Sequence, residues 1–293
     1  MTTLVPFRKW WIALLCLGGA AKSQAVEEAP VPVPVHLQLV SEVSTIVPGE
    51  PFTVGIFLQH APHHHSYYKF PGIVGVATNI TWDLPDGFQA GPLQWPTPEQ
   101  VDMRGHGAYG YHEDTLLLAM ITPPKSLAMS SPVRLAGKVG YMCCSQERCT
   151  PGFEDLEMKL QVGTETVPDE RWNERFAKTR AALPKAIAGW EAKVVETEKH
   201  FTLTLSPPSG LQQNDLPKPD VLYFYSWNGW TASNEPHQCQ LKDGSYTFTM
   251  PKHPFPDEGA TRFQGVVRSE TGWPGEPEAN LGLWLDCELS NAG

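Results

Sequence analysis

The sequence has 293 residues, about two domains' worth, and 41% of them are hydrophobic, which permits a packed core and excludes general disorder. Its 28 prolines and 25 glycines, with 10% aromatic residues, favour short strands joined by turns over a helical bundle. A formal net charge of −10 argues against binding nucleic acid through phosphate neutralisation.

The first 25 residues are predicted to be a cleavable export signal. Arg8 and Lys9 precede an apolar run at residues 10–21, and residues 23–25 (Ser-Gln-Ala) fit a cleavage site. The run is too short to span a bilayer as a helix, which needs about 20 residues. We therefore expect a periplasmic or otherwise exported protein that is soluble after signal cleavage.

A proline-rich lead-in from residue 26 is followed by a series of strand-like segments. Alternating or β-branched and aromatic runs occur at residues 36–40, 52–58, 79–84, 115–121, 133–141 and 156–162. Turn signals separate these runs, and no helical pattern intervenes. The spacing predicts an antiparallel β-sandwich of immunoglobulin-like architecture for residues 26–163.

A different pattern follows at residues 164–198, which are predicted to form a helical linker. Trp172, Phe176 and Thr179 recur at helical spacing, and Pro184 should end or kink the helix. Strand-like runs resume at residues 201–205, 221–225, 246–250, 263–268 and 281–289. The sequence thus predicts an all-β chain with a second, smaller β-rich domain at residues 199–293.

Five cysteines remain after signal removal, in a compartment that permits disulfides, so at least one thiol lacks an intramolecular partner. The short loop closed by Cys144 and Cys149 gains only about 2 kcal/mol from loop closure, against about 4 kcal/mol for Cys239 and Cys287. Cys239–Cys287 is therefore the predicted structural disulfide. Cys144 and Cys149 suit reversible exchange, although a tight structural disulfide that fixes a β-turn is the alternative.

A second candidate site is the histidine-rich segment at residues 60–65. Its imidazoles could bind copper or zinc. Adjacent histidines on an extended chain point to opposite faces, so we interpret the segment as a polar loop, with His63, His64 and His65 as weak metal candidates. We expect no cofactor.

Five ordered segments share a pattern with one known family. Residues 140–144 (GYMCC) followed by 149–151 (CTP) resemble its redox segment, and residues 65–75 resemble its His-x-Tyr-Trp-x-x-Pro-Gly-x-x-Gly signature, with Tyr68 at the Trp position. The similarity continues over residues 82–88, 91–98 and 109–118. The family is the amino-terminal, periplasmic domain of the protein-disulfide reductase DsbD, and the resemblance covers residues 36–163.

This resemblance implies a thiol:disulfide oxidoreductase, related to cytochrome c biogenesis, whose redox pair is Cys144 and Cys149. Tyr141 falls on the family's aromatic position. Cys143 stands where the family normally has no cysteine; it is either a bystander or a competitor of Cys144 for Cys149. Beyond residue 163, residues 183–184 and 263–267 resemble the soluble region that follows in copper-sensitivity-suppressor relatives.

The resemblance also implies partners: a membrane electron source and thioredoxin-like periplasmic proteins. Full-length reductases carry a membrane domain and a thioredoxin-like domain after this region, whereas this sequence ends at Gly293. We therefore expect the membrane electron-transfer protein to be a separate polypeptide. Two other hypotheses stay open: a non-catalytic binding module with a structural disulfide, and a copper-handling protein that uses residues 60–65.

Overall fold

The computed structural model describes residues 33–129, 131–256, 259–278 and 280–291. Within these ranges the chain folds into 20 strands, one α-helix and two short 3-10 helices. The predicted export signal and the proline-rich residues up to 32 lie outside the described residues. None of the described helices is long and apolar enough to cross a membrane.

In the described part of the chain, twelve strands precede the α-helix. They are Val35–Ser41 (β1), Val43–Ile46 (β2), Phe52–His60 (β3), Ser66–Gly72 (β4), Asn79–Asp83 (β5), Gln89–Ala90 (β6), Glu99–Met103 (β7), His106–Tyr111 (β8), Thr115–Thr122 (β9), Val133–Cys144 (β10), Cys149–Val162 (β11) and Val167–Pro168 (β12).

Two sheets of this region pack as layers. One has the order β1-β3-β9-β6, the other β12-β2-β11-β10-β5, and all their pairings are antiparallel except β2 with β11. Alternate side chains of both sheets turn inward and form the core, which comprises Val43, Ile46, Phe52, Val54, Phe88, Ala119, Ile121, Leu135, Leu160 and Val162. Each large apolar side chain buried in this way contributes about 1.5–3 kcal/mol. The predicted all-β, immunoglobulin-like sandwich is confirmed.

A third, three-stranded sheet, β4-β8-β7, meets the cysteine end of β10. An antiparallel bridge between His65 and Cys144 joins the start of β4 to that end. Gly110 on β8 permits the close pairing with β4, because a Cβ atom there would lie 2.1 Å from the carbonyl oxygen of Ser66. This sheet therefore brings a set of polar side chains beside the cysteines.

The α-helix, α1, spans Asn173–Ala181 and ends three residues before Pro184. Phe176 is fully buried on its inner face and packs against Val40, Phe57 and Leu116 of the first sheet. The helix covers the outer side of that sheet, since these three side chains are not part of the core between the layers.

Eight strands follow the helix. They are Glu191–Glu196 (β13), His200–Ser206 (β14), Leu222–Ser226 (β15), Gln238–Lys242 (β16), Ser245–Pro251 (β17), Phe263–Ser269 (β18), Gly282–Cys287 (β19) and Leu289–Asn291 (β20); the 3-10 helices are Gln213–Asp215 and Pro219–Val221.

These strands form a five-stranded sheet, β16-β17-β14-β13-β20, and a three-stranded sheet, β15-β18-β19. An aromatic-rich core lies between them, with Phe224, Phe248 and Phe263 fully buried. The second region is therefore β-rich, as its sequence pattern predicts.

The two β-rich regions share buried contacts. The ring centroids of Tyr109 on β8 and Tyr225 on β15 lie 4.9 Å apart, and both side chains belong to one core cluster with Val266. Arg268 also donates a hydrogen bond across the junction to the carbonyl oxygen of Pro98 at 3.0 Å. The domain boundaries at residues 163 and 199 stay a prediction.

Candidate redox site

A disulfide joins Cys144 and Cys149 at the tip of the β10–β11 hairpin. The two residues are direct cross-strand partners with their Cα atoms 4.0 Å apart. Ser145 holds the turn: its N–H donates to the Arg148 carbonyl at 2.8 Å, and its Oγ accepts the N–H groups of Glu147 and Arg148 at 3.2 and 3.3 Å. Serine suits this position because its hydroxyl bonds the backbone a few residues on. The local sequence thus places the two cysteines side by side.

The two cysteines differ in accessibility. Cys144 is 0% exposed, whereas Cys149 is partly exposed. A cavity of about 330 Å³ adjoins Cys149 and is lined also by Met103, Arg104, Ser145, Glu147 and Arg148. Cys149 is therefore the end of the bridge that another molecule can reach.

The buried cysteine is in contact with a tyrosine hydroxyl. Tyr67 donates a hydrogen bond from Oη to Cys144 Sγ at 3.0 Å, and the same oxygen lies 4.0 Å from Cys149 Sγ. His65 follows on the other side, with Nε2 at 3.3 Å from Tyr67 Oη. A tyrosine hydroxyl has one proton and can accept as well as donate. With that proton on the sulfur side, His65 Nε2 is the donor to Tyr67 Oη.

Backbone hydrogen bonds hold the hydrogen-bonded series Cys144, Tyr67 and His65 in place. The N–H of His65 donates to the Cys144 carbonyl at 2.8 Å, and the N–H of Cys144 donates to the His65 carbonyl at 3.0 Å. Residues two apart on an extended chain share a face, so His65 and Tyr67 both turn towards the cysteine. Gly75, with φ +96°, lets the Tyr67 ring approach the backbone closely, since a Cβ atom there would be 2.3 Å from the ring.

Burial sets the protonation of both groups. It raises the pKa of Tyr67 to about 12, so the hydroxyl keeps its proton at neutral pH. Burial, followed by the neighbouring histidines, lowers the pKa of His65 to about 4. The His65 ring is therefore uncharged at neutral pH, and whichever of its two nitrogens lacks a proton can act as a proton acceptor.

A second histidine connects this chain to the surface. The rings of His65 and His112 meet edge to face with centroids 5.7 Å apart. His112 Nδ1 lies 3.0 Å from Glu99 Oε1, and the side chain of His112 is 51% exposed. Tyr67, His112 and Glu99 are not among the site residues predicted from the sequence. Tyr67 belongs to the His-x-Tyr signature and His112 to the matched segment 109–118, but neither pattern indicates a contact with the cysteines.

The β7–β8 turn is hydrogen-bonded to the cysteine hairpin. Arg104, at φ 55°, donates from Nε to the Gln146 carbonyl at 3.2 Å and from Nη2 to the Glu147 carbonyl. Gln146 Nε2 donates two hydrogen bonds to Asp102, one to the carbonyl oxygen and one to Oδ1, each at 3.1 Å. These contacts shield the side of the bridge that faces β7 and β8.

Cys143 lies on the opposite face of β10 from the disulfide. Its side chain is fully buried in the sandwich core, where Sγ donates to the Pro34 carbonyl at 3.4 Å. Burial raises the pKa of this thiol to about 12. In the structure the bridge to Cys149 is made by Cys144, and Cys143 is a free thiol.

Tyr141 does not reach the sulfurs. It shares the core-facing side of β10 with Cys143, and its hydroxyl donates to Glu154 Oε1 at 3.0 Å. The Tyr141 ring lies over Gly152, where a Cβ atom would be 2.4 Å from the ring. The aromatic hydroxyl next to the disulfide is that of Tyr67.

The predicted structural disulfide between Cys239 and Cys287 is wrong, because both are free thiols. Partners across the five-stranded sheet are, in order, Cys239, Phe248, Leu203, Val194 and Leu289. Four strand spacings of about 4.8 Å thus separate Cys239 from Leu289. Cys287 is two residues from Leu289, a span of roughly 7 Å at most. The remaining gap of roughly 12 Å exceeds the Cα separation of about 7 Å that a disulfide tolerates.

The three histidines predicted as weak metal candidates, His63, His64 and His65, do not point towards a common metal position. His64 Nδ1 lies 3.0 Å from the Pro62 carbonyl, His65 is engaged with Tyr67, and His63 is exposed with φ 61°. No group of three or more His, Cys, Asp or Glu side chains in the described ranges is arranged to hold a metal ion.

Residues 35–161 match the family described as "Thiol:disulfide interchange protein DsbD, N-terminal". Among solved structures, the chain is similar to the N-terminal periplasmic domain of ScsB from Proteus mirabilis, with a TM-score of 0.62 and 14% identity over 90% of this chain and 96% of that chain. At this identity the similarity concerns the fold alone, and it extends through both β-rich regions. No curated protein sequence matches the chain.

Two further solved structures are much more distant. The C-terminal fragment of the pilin GBS80 from Streptococcus agalactiae has a TM-score of 0.27 and 8% identity over 87% of this chain and 91% of that one. The Coh-OlpA-Doc918 complex from Clostridium thermocellum has a TM-score of 0.24 and 11% identity, over 43% and 99%. Neither carries a structural argument.

The family match and the disulfide occur in the same part of the chain. The match begins at the first residue of β1 and ends one residue before the end of β11, so it contains the whole cysteine hairpin. A Cys144–Cys149 bridge within this match supports thiol–disulfide exchange as the general chemistry of the site. Residues 35–161 therefore resemble the amino-terminal domain of the DsbD thiol:disulfide interchange family, over somewhat less than half of the chain.

Proposed function

We propose that the protein is an exported thiol:disulfide oxidoreductase that relays electrons through Cys144 and Cys149. It receives them from a membrane electron-transfer protein and passes them to thioredoxin-like periplasmic proteins. One observation carries the proposal: a short bridge joins a buried sulfur to an accessible one within the family match. Exchange chemistry needs an accessible sulfur and a resolving thiol within reach.

Electron donation begins at Cys149. In the reduced protein its thiolate attacks the nearer sulfur of a partner disulfide; a mixed disulfide forms and the farther partner sulfur leaves as a thiolate. The Cys144 thiolate then attacks Cys149 Sγ, closes the intramolecular bridge and releases the second partner thiolate. The partner gains two electrons and this protein loses two.

Reloading follows the same path in reverse. A thiolate of the electron source attacks Cys149 Sγ, the Cys144–Cys149 bond breaks, and its electron pair stays on Cys144. A second thiol of the source then releases the reduced protein. Cys149 is the point of attack in both directions because Cys144 is buried.

The sheet face beside the disulfide supports a protein partner. Along the hairpin, Met142 pairs with Pro151 and Gly140 pairs with Phe153, on the same face as the bridged cysteines. Phe153 is 73% exposed. A protein joined covalently to Cys149 covers this neighbourhood, since Phe153 is four strand residues away, about 13 Å.

Export is supported by the basic and apolar pattern of residues 1–25. The ScsB structure of similar fold is described as a periplasmic domain. An oxidising compartment fits a protein whose accessible cysteine pair alternates between disulfide and dithiol.

The proposal is tested by exchange with thioredoxin as the probe. The reduced protein should reduce oxidised thioredoxin in stoichiometric amounts, measured by alkylation and mass spectrometry. The Cys144→Ser variant should accumulate a mixed disulfide at Cys149, and the matched Cys143→Ser variant should not. Absence of both transfer and adduct would show that the bridge is structural.

A further inference from the structure

The Cys144 thiol has to lose its proton before it can close the bridge, although the residue is fully buried. The hydroxyl of Tyr67 is in contact with its sulfur at 3.0 Å. Behind that hydroxyl lies His65 Nε2 at 3.3 Å, and the His65 ring meets the half-exposed His112. One continuous series of polar groups thus leads from the buried sulfur to the surface.

We propose that Tyr67 and His65 form a proton path for the Cys144 thiol, with Tyr67 as a catalytic residue and His65 as the positioning residue and proton acceptor behind it. The inference rests on the proposed exchange function. It assigns roles to two residues of the candidate site for which the motif resemblance gives only positions.

Proton transfer from Cys144 through Tyr67 to His65 needs no additional reagent. In the reduced protein the Cys144 thiol donates to Tyr67 Oη, the Tyr67 hydroxyl donates to His65 Nε2, and His65 carries its proton on Nδ1, which is the opposite tautomer to that of the disulfide form. The Cys144 thiol then gives its proton to Tyr67 Oη while the Tyr67 hydroxyl proton moves to His65 Nε2. Cys144 becomes a thiolate, Tyr67 stays neutral and His65 becomes an imidazolium. The thiolate attacks Cys149 Sγ, and His65 loses a proton on the side of His112. In the reverse direction the same groups protonate the Cys144 thiolate as it leaves Cys149.

The charges around His65 are compatible with this role. His60 and His64, from β3 and the loop before β4, and His112 after β8 disfavour a positive charge on His65, whereas Asp102 in the β7–β8 turn favours it. With burial, they keep the ring neutral at neutral pH and ready to accept a proton. A thiolate on Cys144 attracts the imidazolium and favours the transfer.

Glu99 stabilises the outer end of the path. Its Oε1 accepts the His112 N–H at 2.7 Å and lies 3.0 Å from His112 Nδ1. The half-exposed His112, held in place by Glu99, is therefore the group through which the proton that His65 loses can reach solvent.

The test follows the two thiols separately, using dithiodipyridine as the disulfide and stopped-flow absorbance of the released thiopyridone. Reaction at Cys149 gives a first, concentration-dependent phase, and resolution by Cys144 gives a second, concentration-independent phase. Peptide mapping of quenched samples assigns each phase. Tyr67→Phe keeps the ring, and Tyr68→Phe is the matched control because its buried hydroxyl has no hydrogen-bond partner in the described chain.

Tyr67→Phe should slow the second phase about tenfold or more and leave the first within about twofold, since the loss is confined to proton transfer at Cys144. Tyr68→Phe should alter neither. His65→Ala should slow the second phase similarly, and added imidazole should restore it only when Tyr67 is present. Rescue distinguishes a proton acceptor from a structural side chain.

Two outcomes would overturn the inference: an unchanged second phase in both Tyr67→Phe and His65→Ala, or equal slowing in Tyr68→Phe. If Tyr67→Phe does not fold, judged by circular dichroism, His65→Ala and its rescue decide. A wild-type protein that shows neither phase would contradict the proposed exchange function itself, which separates the two failures.

Discussion

Cys143 and Cys144 are neighbours in sequence, yet they face opposite sides of β10. Cys144 Sγ is bonded to Cys149 and accepts a hydrogen bond from the Tyr67 hydroxyl. Cys143 Sγ points into the sandwich core and donates a hydrogen bond to the Pro34 carbonyl oxygen. Alternation along a strand accounts for the difference. The extra cysteine is therefore a core residue with a thiol of high pKa.

This geometry predicts that Cys143→Ala leaves the exchange chemistry intact. The lost sulfur should lower the free energy of unfolding by about 1 kcal/mol, because a small cavity remains in the core. Denaturant unfolding measures that change, and peptide mapping locates the bridge. A native bridge between Cys143 and Cys149 would contradict the assignment.

The hydrogen bonds of Arg104 to the cysteine hairpin predict a second effect. Arg104→Ala should free the β7–β8 turn and speed alkylation of reduced Cys149 by roughly fivefold, the effect of losing about 1 kcal/mol of hydrogen bonding. Arg148→Ala removes the same charge from the same cavity, but its side chain makes no hydrogen bond to that turn in the described chain. Equal rates in the two variants would show that the lost positive charge, and not the position of the β7–β8 turn, controls access to Cys149.

The exposed Phe153 predicts a difference between protein and small-molecule substrates. Phe153→Ser should slow electron transfer to thioredoxin by about fivefold, since an aromatic anchor beside the mixed disulfide is lost. Reaction with dithiothreitol should be unchanged because a small thiol needs only Cys149. Phe255→Ser, at a side chain 81% exposed in the second β-rich region, is the control. Equal slowing of the thioredoxin and the dithiothreitol reactions would rule out a docking role.

Two buried histidines predict that stability falls in mild acid. Burial lowers the pKa of His65 and of His237 to about 4, below the ordinary value of 6.5. Between pH 6.5 and about 4 these histidines bind protons in the unfolded chain but stay unprotonated in the folded protein. The free energy of unfolding therefore decreases as pH falls through this window. Thermal unfolding at successive pH values measures it.

The His237→Gln variant isolates one contribution. Its amide can still donate to the Ala232 carbonyl, which His237 Nε2 contacts at 2.9 Å. The decrease in Tm between pH 6.5 and 4 should therefore be smaller in the variant than in the wild type. A Tm that is flat over this range in the wild type would contradict the buried, neutral state of these rings.

The sequence predicted the strands and the resemblance to the DsbD amino-terminal domain because each depends on local pattern or a contiguous motif. The Cys239–Cys287 error arose because sheet order is long-range: no local pattern shows that four strand spacings separate Cys239 from Leu289. The contact of Tyr67 with Cys144 joins residues 77 positions apart and could not be inferred from spacing. The direction of Tyr141 was predictable, since residues three apart on one strand face opposite sides.

The reduction potential of the Cys144–Cys149 pair tests the central claim most directly. The purified mature protein is equilibrated in dithiothreitol or glutathione buffers of known potential, and the free thiols are counted by alkylation and mass spectrometry. A relay pair should be half reduced at a potential above roughly −300 mV, the value below which structural disulfides typically fall. A bridge that stays oxidised until well below that potential would contradict the relay and identify a structural disulfide.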